Sequence, residues 1–202
     1  MKKLLFIFLL TISLFYTSLF SQWIQQSVPV SKPITGIKFI NVNTGWACTS
    51  WGTGMDTSYI LYTSNGGLNW LIQHSAFNAR YNALSVIDAN NIYAGGDSSA
   101  RAKFSKTTNG GLNWIDIQTP VNMSIEDMVF QNIDSGWSCS GVVGPDVRTT
   151  TNGGLNWIVR TSGILQQTHR LFFLNYDTGF CGANTQLYKT TNAGLNWNLH
   201  FV

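Results

Sequence analysis

The stretch KTTNGGLNW at Lys106–Trp114 decides the fold, because the chain repeats it almost unchanged. The near copies are YTSNGGLNW (62–70), TTTNGGLNW (149–157) and KTTNAGLNW (189–197). Every copy ends in Trp, and the intervals between these Trp residues are 44 (114−70), 43 (157−114) and 40 (197−157) residues. A period of this length indicates a repeat protein in which each repeat is one supersecondary unit.

A second aromatic position recurs between these turns. It lies within FINVNTGWAC (39–48), VIDANNIYAG (86–95), FQNIDSGWSC (130–139) and FLNYDTGFCG (173–182). The aromatic residue follows a Trp by the same 23 residues in all four cases (46−23, 93−70, 137−114 and 180−157). The interval from this aromatic residue to the next motif Trp shrinks from 24 (70−46) to 17 (197−180) residues. Each repeat therefore varies in length at one place, between the aromatic residue and the turn motif.

Each repeat predicts four short strands. In the first repeat they are ITGIKFIN (34–41), WACTS (46–50), YILYTS (59–64) and WLIQHS (70–75). These segments have alternating apolar residues, are rich in β-branched and aromatic residues, and are separated by Gly, Asn and Asp. We therefore predict an all-β fold, a β-propeller of four-stranded antiparallel blades. A stacked β-solenoid is the less favoured alternative, because its repeats are usually shorter.

The propeller is expected to be an incomplete ring. The repeat units are predicted at approximately 34–75, 81–119, 125–162 and 168–202. An orphan N-terminal strand at 22–30 begins with Trp23, although the last unit already has its own fourth strand. Either the natural chain continues, or a second copy closes the ring. An open sheet edge invites association, so self-association through the open blade edges is expected in the second case.

The N-terminus predicts export. Lys2 and Lys3 precede an apolar run at 4–20, which indicates a signal peptide at 1–21 and a propeller domain at 22–202. An uncleaved membrane anchor is the alternative, and no membrane span is expected in the mature chain. The protein is thus expected to be secreted, periplasmic or in the cell envelope.

Charge and composition exclude several functions. Of the 12 Lys and Arg residues, two lie in the signal, which leaves ten (12−2) against 9 Asp and Glu. A nearly neutral mature chain does not provide the basic face that nucleic acid requires. His74, His169 and His200 lack the spacing of metal ligands, so neither a metal nor a cofactor is predicted.

The three cysteines cannot all pair within one chain. Cys48 and Cys139 occupy the same position of different repeats, and Cys181 lies one position earlier. Equivalent positions of separate blades are not expected to touch. Buried free thiols are therefore favoured over a disulfide.

The repeated motif has a structural interpretation. Its Asn side chain can accept hydrogen bonds from N–H groups two or three residues on, the Thr before it can add a hydroxyl bond, and the Gly residues permit unusual backbone angles. Its Trp can pack between neighbouring sheets. The structural turn residues are predicted to be Asn65, Trp70, Asn109, Trp114, Asn152, Trp157, Asn192 and Trp197.

The spacing Thr-x-Asn-x-Gly-x-Asn-Trp resembles the Asp-box, or BNR repeat, of sialidase-like propellers, with Asn where that motif usually has Asp. Together with the NxxTGW turn, it is similar to the repeats of the photosystem II stability and assembly factor family and its secreted bacterial relatives. The resemblance covers the whole mature chain. It implies a propeller that acts as a protein-binding or assembly module. Asn keeps the acceptor oxygen without the charge, and Ala193 replaces the first Gly of the last copy.

Candidate binding residues lie on the face opposite the motif turns. Antiparallel order places the strand 2–3 loops there, where the repeats differ, and such loops commonly carry recognition. The starts of the inner strands align Thr35, Asn82, Glu126 and His169, and then Gly36, Ala83, Asp127 and Arg170. The candidate ligand-binding residues are Trp51, Glu126, Asp127, Arg148, His169 and Arg170, with Asp56, Arg80 and Arg101 on the same side. The alternative is that these charges form ordinary ion pairs at solvated strand ends.

We expect a non-catalytic module that binds another protein or a glycan. The alternative function is a glycan-binding or glycan-hydrolysing sialidase-like propeller. A sialidase-like site requires three Arg residues on a carboxylate and a Tyr activated by a Glu. Glu126 is the sole Glu of the sequence and no Arg lies in a family motif, so no catalytic residue is predicted.

Overall fold

A computed structural model describes residues 24–50, 56–98, 101–118, 124–142 and 144–200. These residues form sixteen β-strands in four antiparallel sheets of four strands each. No helix occurs in these ranges, and so none that could cross a membrane. The predicted signal peptide at 1–21, Trp23 and Trp51 lie outside the described residues.

Each sheet is one blade, and its strands lie side by side in chain order. Blade 1 contains β1 (Ile34–Phe39), β2 (Gly45–Thr49), β3 (Thr57–Thr63) and β4 (Leu71–Phe77). Blade 2 contains β5 (Arg80–Val86), β6 (Ile92–Ser98), β7 (Arg101–Thr107) and β8 (Ile115–Gln118). Blade 3 contains β9 (Asp127–Phe130), β10 (Gly136–Cys139), β11 (Val147–Thr150) and β12 (Ile158–Val159). Blade 4 contains β13 (Thr168–Phe173), β14 (Gly179–Ala183), β15 (Leu187–Thr190) and β16 (Asn198–Leu199).

The blades follow one another as in a propeller. The first strands are the inner strands, with β1 beside β5, β5 beside β9 and β9 beside β13. Among the described strands, no comparable contact joins β13 back to β1. The predicted all-β propeller of four-stranded antiparallel blades is therefore confirmed, and its ring is open in this structure.

Apolar clusters fill the spaces between successive blades. Trp46, Tyr93 and Trp137, three of the four aromatic residues predicted from the 23-residue spacing, lie in these clusters, whereas Phe180 of the last blade is partly exposed. Tyr93 stacks on Phe130 of the next blade with a centroid distance of 3.9 Å, and Trp137 stacks on Phe173 at 4.0 Å. Trp46 is buried in the cluster between blades 1 and 2. Burial of these large rings stabilises the blade stack.

The repeated motif forms the same turn in all four blades. In the second copy, Thr107 Oγ1 donates to Asn109 Oδ1 at 2.9 Å, and Gly111 N donates back to Thr107 Oγ1 at 3.0 Å. Asn109 Oδ1 also accepts from Asn113 N at 3.0 Å. Equivalent bonds occur in the other copies.

The structure corrects one detail of this turn. The Asn oxygen accepts from the N–H four residues on, rather than two or three. Gly110 and Gly111 adopt φ of 69° and 86°, which turns the chain so that Asn113 reaches the amide oxygen. The N–H of Gly111, two residues after Asn109, donates to the Thr107 hydroxyl instead. The motif Thr and Asn side chains are thus hydrogen-bonded within their own turn.

The predicted orphan strand at 22–30 is not a strand over the described residues 24–30. Val28 and Val30 instead pack against Ala47, Leu61 and Trp70 of blade 1. Pro29 has no N–H to donate to a ladder, and β16 already lies at the outer edge of blade 4. The segment therefore covers part of a blade face without extending a sheet.

All three cysteines are buried and free. Burial raises the pKa of Cys48 to about 12 and that of Cys181 to about 12. The pKa of Cys139 also lies well above its ordinary value, chiefly because of burial. The interpretation as buried free thiols is confirmed.

Candidate functional site

The blades have two chemically different faces. Each repeated turn is hydrogen-bonded to the strand 1–2 turn of its own blade, as in Gly110 N to Asn90 O at 3.1 Å and Gly153 N to Asp134 O at 2.9 Å. These turns make up the motif face. The opposite face carries the strand 2–3 loops and the starts of the inner strands, and we call it the recognition face.

A β-bulge occurs at the start of three inner strands on the recognition face. The register shifts around Thr35, Asn82 and His169. In the first two blades the bulged side chain reaches the next blade, where Thr35 Oγ1 donates to Tyr81 O at 2.5 Å and Asn82 Nδ2 to Ile125 O at 3.2 Å. Thr35 and Asn82 therefore hold neighbouring inner strands together.

Glu126 occupies the same position in blade 3, but a carboxylate cannot donate to a carbonyl. It instead faces the bulged His169 of blade 4, with Nδ1 3.1 Å from Oε1 and 3.2 Å from Oε2. On the other side of the ring, His169 Nε2 lies 2.7 Å from Asn184 Oδ1. The hydrogen bond to Asn184, and then that to Glu126, raise the pKa of His169. An imidazolium that donates from both nitrogens is thus favoured.

Arg170 completes this cluster. Its Nη1 donates to His169 O at 2.7 Å and to Glu126 Oε1 at 3.3 Å. The Arg170 side chain is nevertheless 69% exposed, whereas those of His169 and Glu126 are 34% and 32% exposed. Arg170 balances the single charge of Glu126, so the cluster has a net positive charge whenever His169 is protonated, and its raised pKa extends that range to higher pH.

Gly141 borders the cluster from the strand 2–3 loop of blade 3. A Cβ at this position would lie 1.7 Å from Glu126 Oε2 and 2.8 Å from His169 Nδ1. Gln167 Nε2 donates to the Gly141 carbonyl and fixes the loop against blade 4. Because Gly141 has no side chain, the loop does not fill the space beside the Glu126 carboxylate.

Asp127 is adjacent in sequence but has a different role. Its Oδ2 accepts from Leu171 N of blade 4 and its Oδ1 from Met128 N, both at 2.9 Å. Burial raises the pKa of this carboxyl despite these bonds. Asp127 therefore joins the inner strands of blades 3 and 4.

The other candidate residues do not join the cluster. Arg148 forms a two-pronged pair with Asp146 at 2.7 and 3.2 Å. Arg80 pairs with Asp97 at 2.5 Å, and Asp56 pairs with Lys32. These contacts match the alternative prediction of ordinary ion pairs. The side chain of Arg101 lies outside the described part of the structure, as does Trp51.

Sequence reasoning missed Asn184 and Asp97. Asn184 comes from the short strand 2–3 segment of blade 4, and no pattern marks it. Asp97 is 8% exposed and also accepts from Ser124 Oγ at 3.0 Å. Its position opposite Arg80 in the predicted hairpin is the signal that could have identified the pair. In the described ranges, no group of three or more His, Cys, Asp and Glu residues could hold a metal ion.

Comparisons with known proteins give structural matches alone. No family model matches the sequence, and no curated protein is detectably similar to it. The structure is similar to that of YCF48 bound to D1 peptide, with a TM-score of 0.63 and 17% identity, over 86% of this chain and 56% of that one. It is also similar to YCF48 from Cyanidioschyzon merolae, with a TM-score of 0.64 and 16% identity, over 89% and 59%. The fold is a YCF48-like β-propeller.

Two glycoside hydrolases have a similar fold. A Niastella koreensis GH74 enzyme matches with a TM-score of 0.59 and 16% identity, over 82% of this chain and 30% of that one. The GH74 xyloglucanase from Xanthomonas campestris matches with a TM-score of 0.60 and 15% identity, over 88% and 32%. This chain spans 56% and 59% of the YCF48 chains and about a third of these enzymes. Such likeness shows the fold, and function must be argued from the site.

Proposed function

We propose that this chain is an exported, non-catalytic assembly module that binds a segment of another protein on its recognition face. The observation that carries the proposal is the cluster of Glu126, His169 and Arg170, in which Arg170 stays 69% exposed. The predicted signal peptide supports export. The resemblance to photosystem II assembly factor repeats, and a similar structure described as YCF48 bound to D1 peptide, support a protein partner.

The chemistry of the cluster favours an acidic partner segment. Glu126 and the His169 carbonyl hold one nitrogen of Arg170 at the start of β13. The guanidinium has further donors in a planar fork that matches a carboxylate. Because the inner strands fix His169 and Arg170, little side-chain ordering is needed when a carboxylate binds.

A glycan ligand is the second candidate, and the GH74 structures favour it through their fold. Hydrolysis requires two carboxyl groups with different roles on either side of a glycosidic bond. Glu126 is paired with His169, and the neighbouring Asp127 accepts two backbone N–H groups. These partners favour binding over hydrolysis.

The test compares peptides with and without acidic side chains. Fluorescently labelled Asp- and Glu-rich peptides, and matched Asn and Gln peptides, are titrated with the purified chain and followed by fluorescence polarisation. The acidic peptides should bind, and Arg170→Ala should weaken binding roughly 10-fold, or about 1.4 kcal/mol. Asp134→Asn on the motif face is the matched control and should leave binding unchanged. Equal binding of both peptide sets, or no effect of Arg170→Ala, would contradict the proposal.

The glycan alternative has its own readout. Xyloglucan oligosaccharides are titrated in the same assay, and fluorogenic glycosides are tested for turnover. Turnover that Glu126→Gln abolishes would replace the non-catalytic proposal. Oligosaccharide binding that is lost in Arg170→Ala would replace the protein partner with a glycan.

A further inference from the structure

Each blade has a rear face towards the preceding blade and a forward face towards the following one. The inner-strand part of the rear face of blade 1 is exposed where the equivalent residues of the other blades are buried, whereas Ala47 and Leu61 on the same face are covered by Val28 and Val30. Ile37 is 54% exposed, whereas the aligned residues Leu84, Met128 and Leu171 are 2%, 2% and 6% exposed. Phe39 is 43% exposed, against 6% for Phe130 in the same position of blade 3. Blade 1 thus keeps the apolar residues of an inter-blade contact without a blade on that side.

The forward face of blade 4 shows the complementary exposure. Leu187 is 39% exposed, whereas the equivalent residues of the other third strands are 0% exposed, namely Ile60, Phe104 and Val147. Phe172 lies on the same face and is 59% exposed, and its strand partner Phe180 is partly exposed. The two end blades therefore present the two halves of one recurring interface.

A hydrogen bond recurs at every internal interface. The carbonyl of the residue after the motif Asn accepts a side-chain N–H from the preceding blade. These bonds are Gln73 Nε2 to Gly110 O at 2.9 Å, Lys106 Nζ to Gly153 O at 3.3 Å and Trp137 Nε1 to Ala193 O at 2.9 Å.

The end blades hold one unused acceptor and one matching donor. Among the described residues, no side chain donates to the equivalent carbonyl of Gly66 in blade 1. Lys189 occupies the position of Lys106 in blade 4, and its Nζ lies over the Phe180 ring at 5.7 Å from the centroid. Lys189 and Gly66 thus lie at opposite ends of the blade series and could form a fourth such bond between chains.

The N-terminal segment leaves room for this contact. Val28 and Val30 pack on Ala47 and Leu61, which lie in the two middle strands of blade 1 on the same face as Ile37. The segment therefore covers the middle of the rear face, while Ile37 and Phe39 of the inner strand remain 54% and 43% exposed. The inner-strand part of the rear face is the surface left for a docking blade.

We propose that a second copy of this chain docks head to tail, with the forward face of blade 4 on the rear face of blade 1. Unlike faces meet, so the contact is heterologous, and such contacts form rings when the rotation closes. Two copies of four blades give eight, within the range of about four to eight found in propellers. The contact uses neither Arg170 nor the recognition face.

Sedimentation of the purified chain over a range of concentrations tests the proposal. The wild-type chain should form a reversible dimer, and Leu187→Glu on the forward face or Ile37→Glu on the rear face should weaken it at least 100-fold. Both positions are already exposed, and Phe172→Glu provides a second forward-face variant. Leu112→Glu in a motif turn, where Leu112 is 84% exposed, is the matched control and should dimerise normally.

Mixing the variants identifies the geometry. Leu187→Glu retains an intact rear face and Ile37→Glu an intact forward face, so the mixture should associate although neither variant does alone. A wild-type monomer at all concentrations overturns the proposal. Association that survives in Ile37→Glu alone also overturns it, because that outcome indicates contact between like faces. Thermal melting confirms that each variant is folded. Binding of acidic peptides by the monomeric variants tests the proposed function separately from dimer formation.

Discussion

His169 Nδ1 and Glu126 Oε1 lie 3.1 Å apart and connect the inner-strand starts of blades 3 and 4. Asn184 accepts from the opposite ring nitrogen, so the imidazole lies between two acceptors. These bonds raise the pKa of His169 above its ordinary 6.5. The candidate site is therefore also a pH-dependent connection between two blades.

The first prediction concerns pH. A raised folded-state pKa means that His169 adds stability fully below about pH 6.5, and that this stability is lost as pH rises through the folded-state value. The free energies of unfolding of the wild type and of His169→Gln are measured in urea from pH 6 upwards. The difference between them, wild type minus variant, should fall as the pH rises. Its maximum should stay below about 1 kcal/mol, because the pair is solvated.

Glu126→Gln supplies the control for this effect. Asn184 is the larger cause of the raised pKa, so the decline with pH should shrink in the Glu126→Gln background without disappearing. A difference between wild type and His169→Gln that is constant from pH 6 to pH 9 would contradict the assigned contacts.

The second prediction uses the exception in the repeated turn. Ala193 has φ of 57°, where the equivalent Gly110 has 69° and Gly153 has 65°. A left-handed backbone costs a non-Gly residue about 1–2 kcal/mol, so Ala193→Gly should raise the free energy of unfolding by roughly 1 kcal/mol. Gly110→Ala is the reverse change, and its new Cβ would lie 3.2 Å from Ala89 O. It should destabilise by at least as much, and urea unfolding of both variants checks the opposite signs.

Regular spacing made the blades predictable, because Trp46, Tyr93 and Trp137 recur at one distance and pack in one way. The sequence aligns Glu126 and His169 as inner-strand starts on one face, and the structure brings their side chains within 3.1 Å. The hydrogen bond from His169 to Asn184 was not predicted, because Asn184 comes from the part of the repeat that varies in length. Spacing likewise cannot tell whether a charge such as Arg148 faces a ligand or a residue two positions away. The segment at 24–30 kept the sequence of an outer strand but has no ladder partner.

The third prediction isolates one hydrogen bond at the motif Trp. Trp197 and Trp157 make the same edge-to-face contact with a Phe of their own blade, both at 6.0 Å. Trp197 Nε1 donates to Arg160 O at 2.9 Å, whereas Trp157 Nε1 is buried without a partner among the described residues. Trp197→Phe should therefore destabilise more than Trp157→Phe, by about 1–3 kcal/mol. Equal losses in urea unfolding would show that the bond contributes little.

The fourth prediction concerns the thiols. At pH 8, a pKa of about 12 for Cys48 and Cys181 leaves a thiolate fraction of ~10⁻⁴, and all three cysteines are buried. A thiol-specific aromatic disulfide should therefore react slowly with the native chain and rapidly with three thiols in denaturant. Leu112→Cys adds a thiol at a position that is 84% exposed, and it should react at once in the native state. Detection of a single thiol in denaturant would instead mean that the other two are joined in a disulfide.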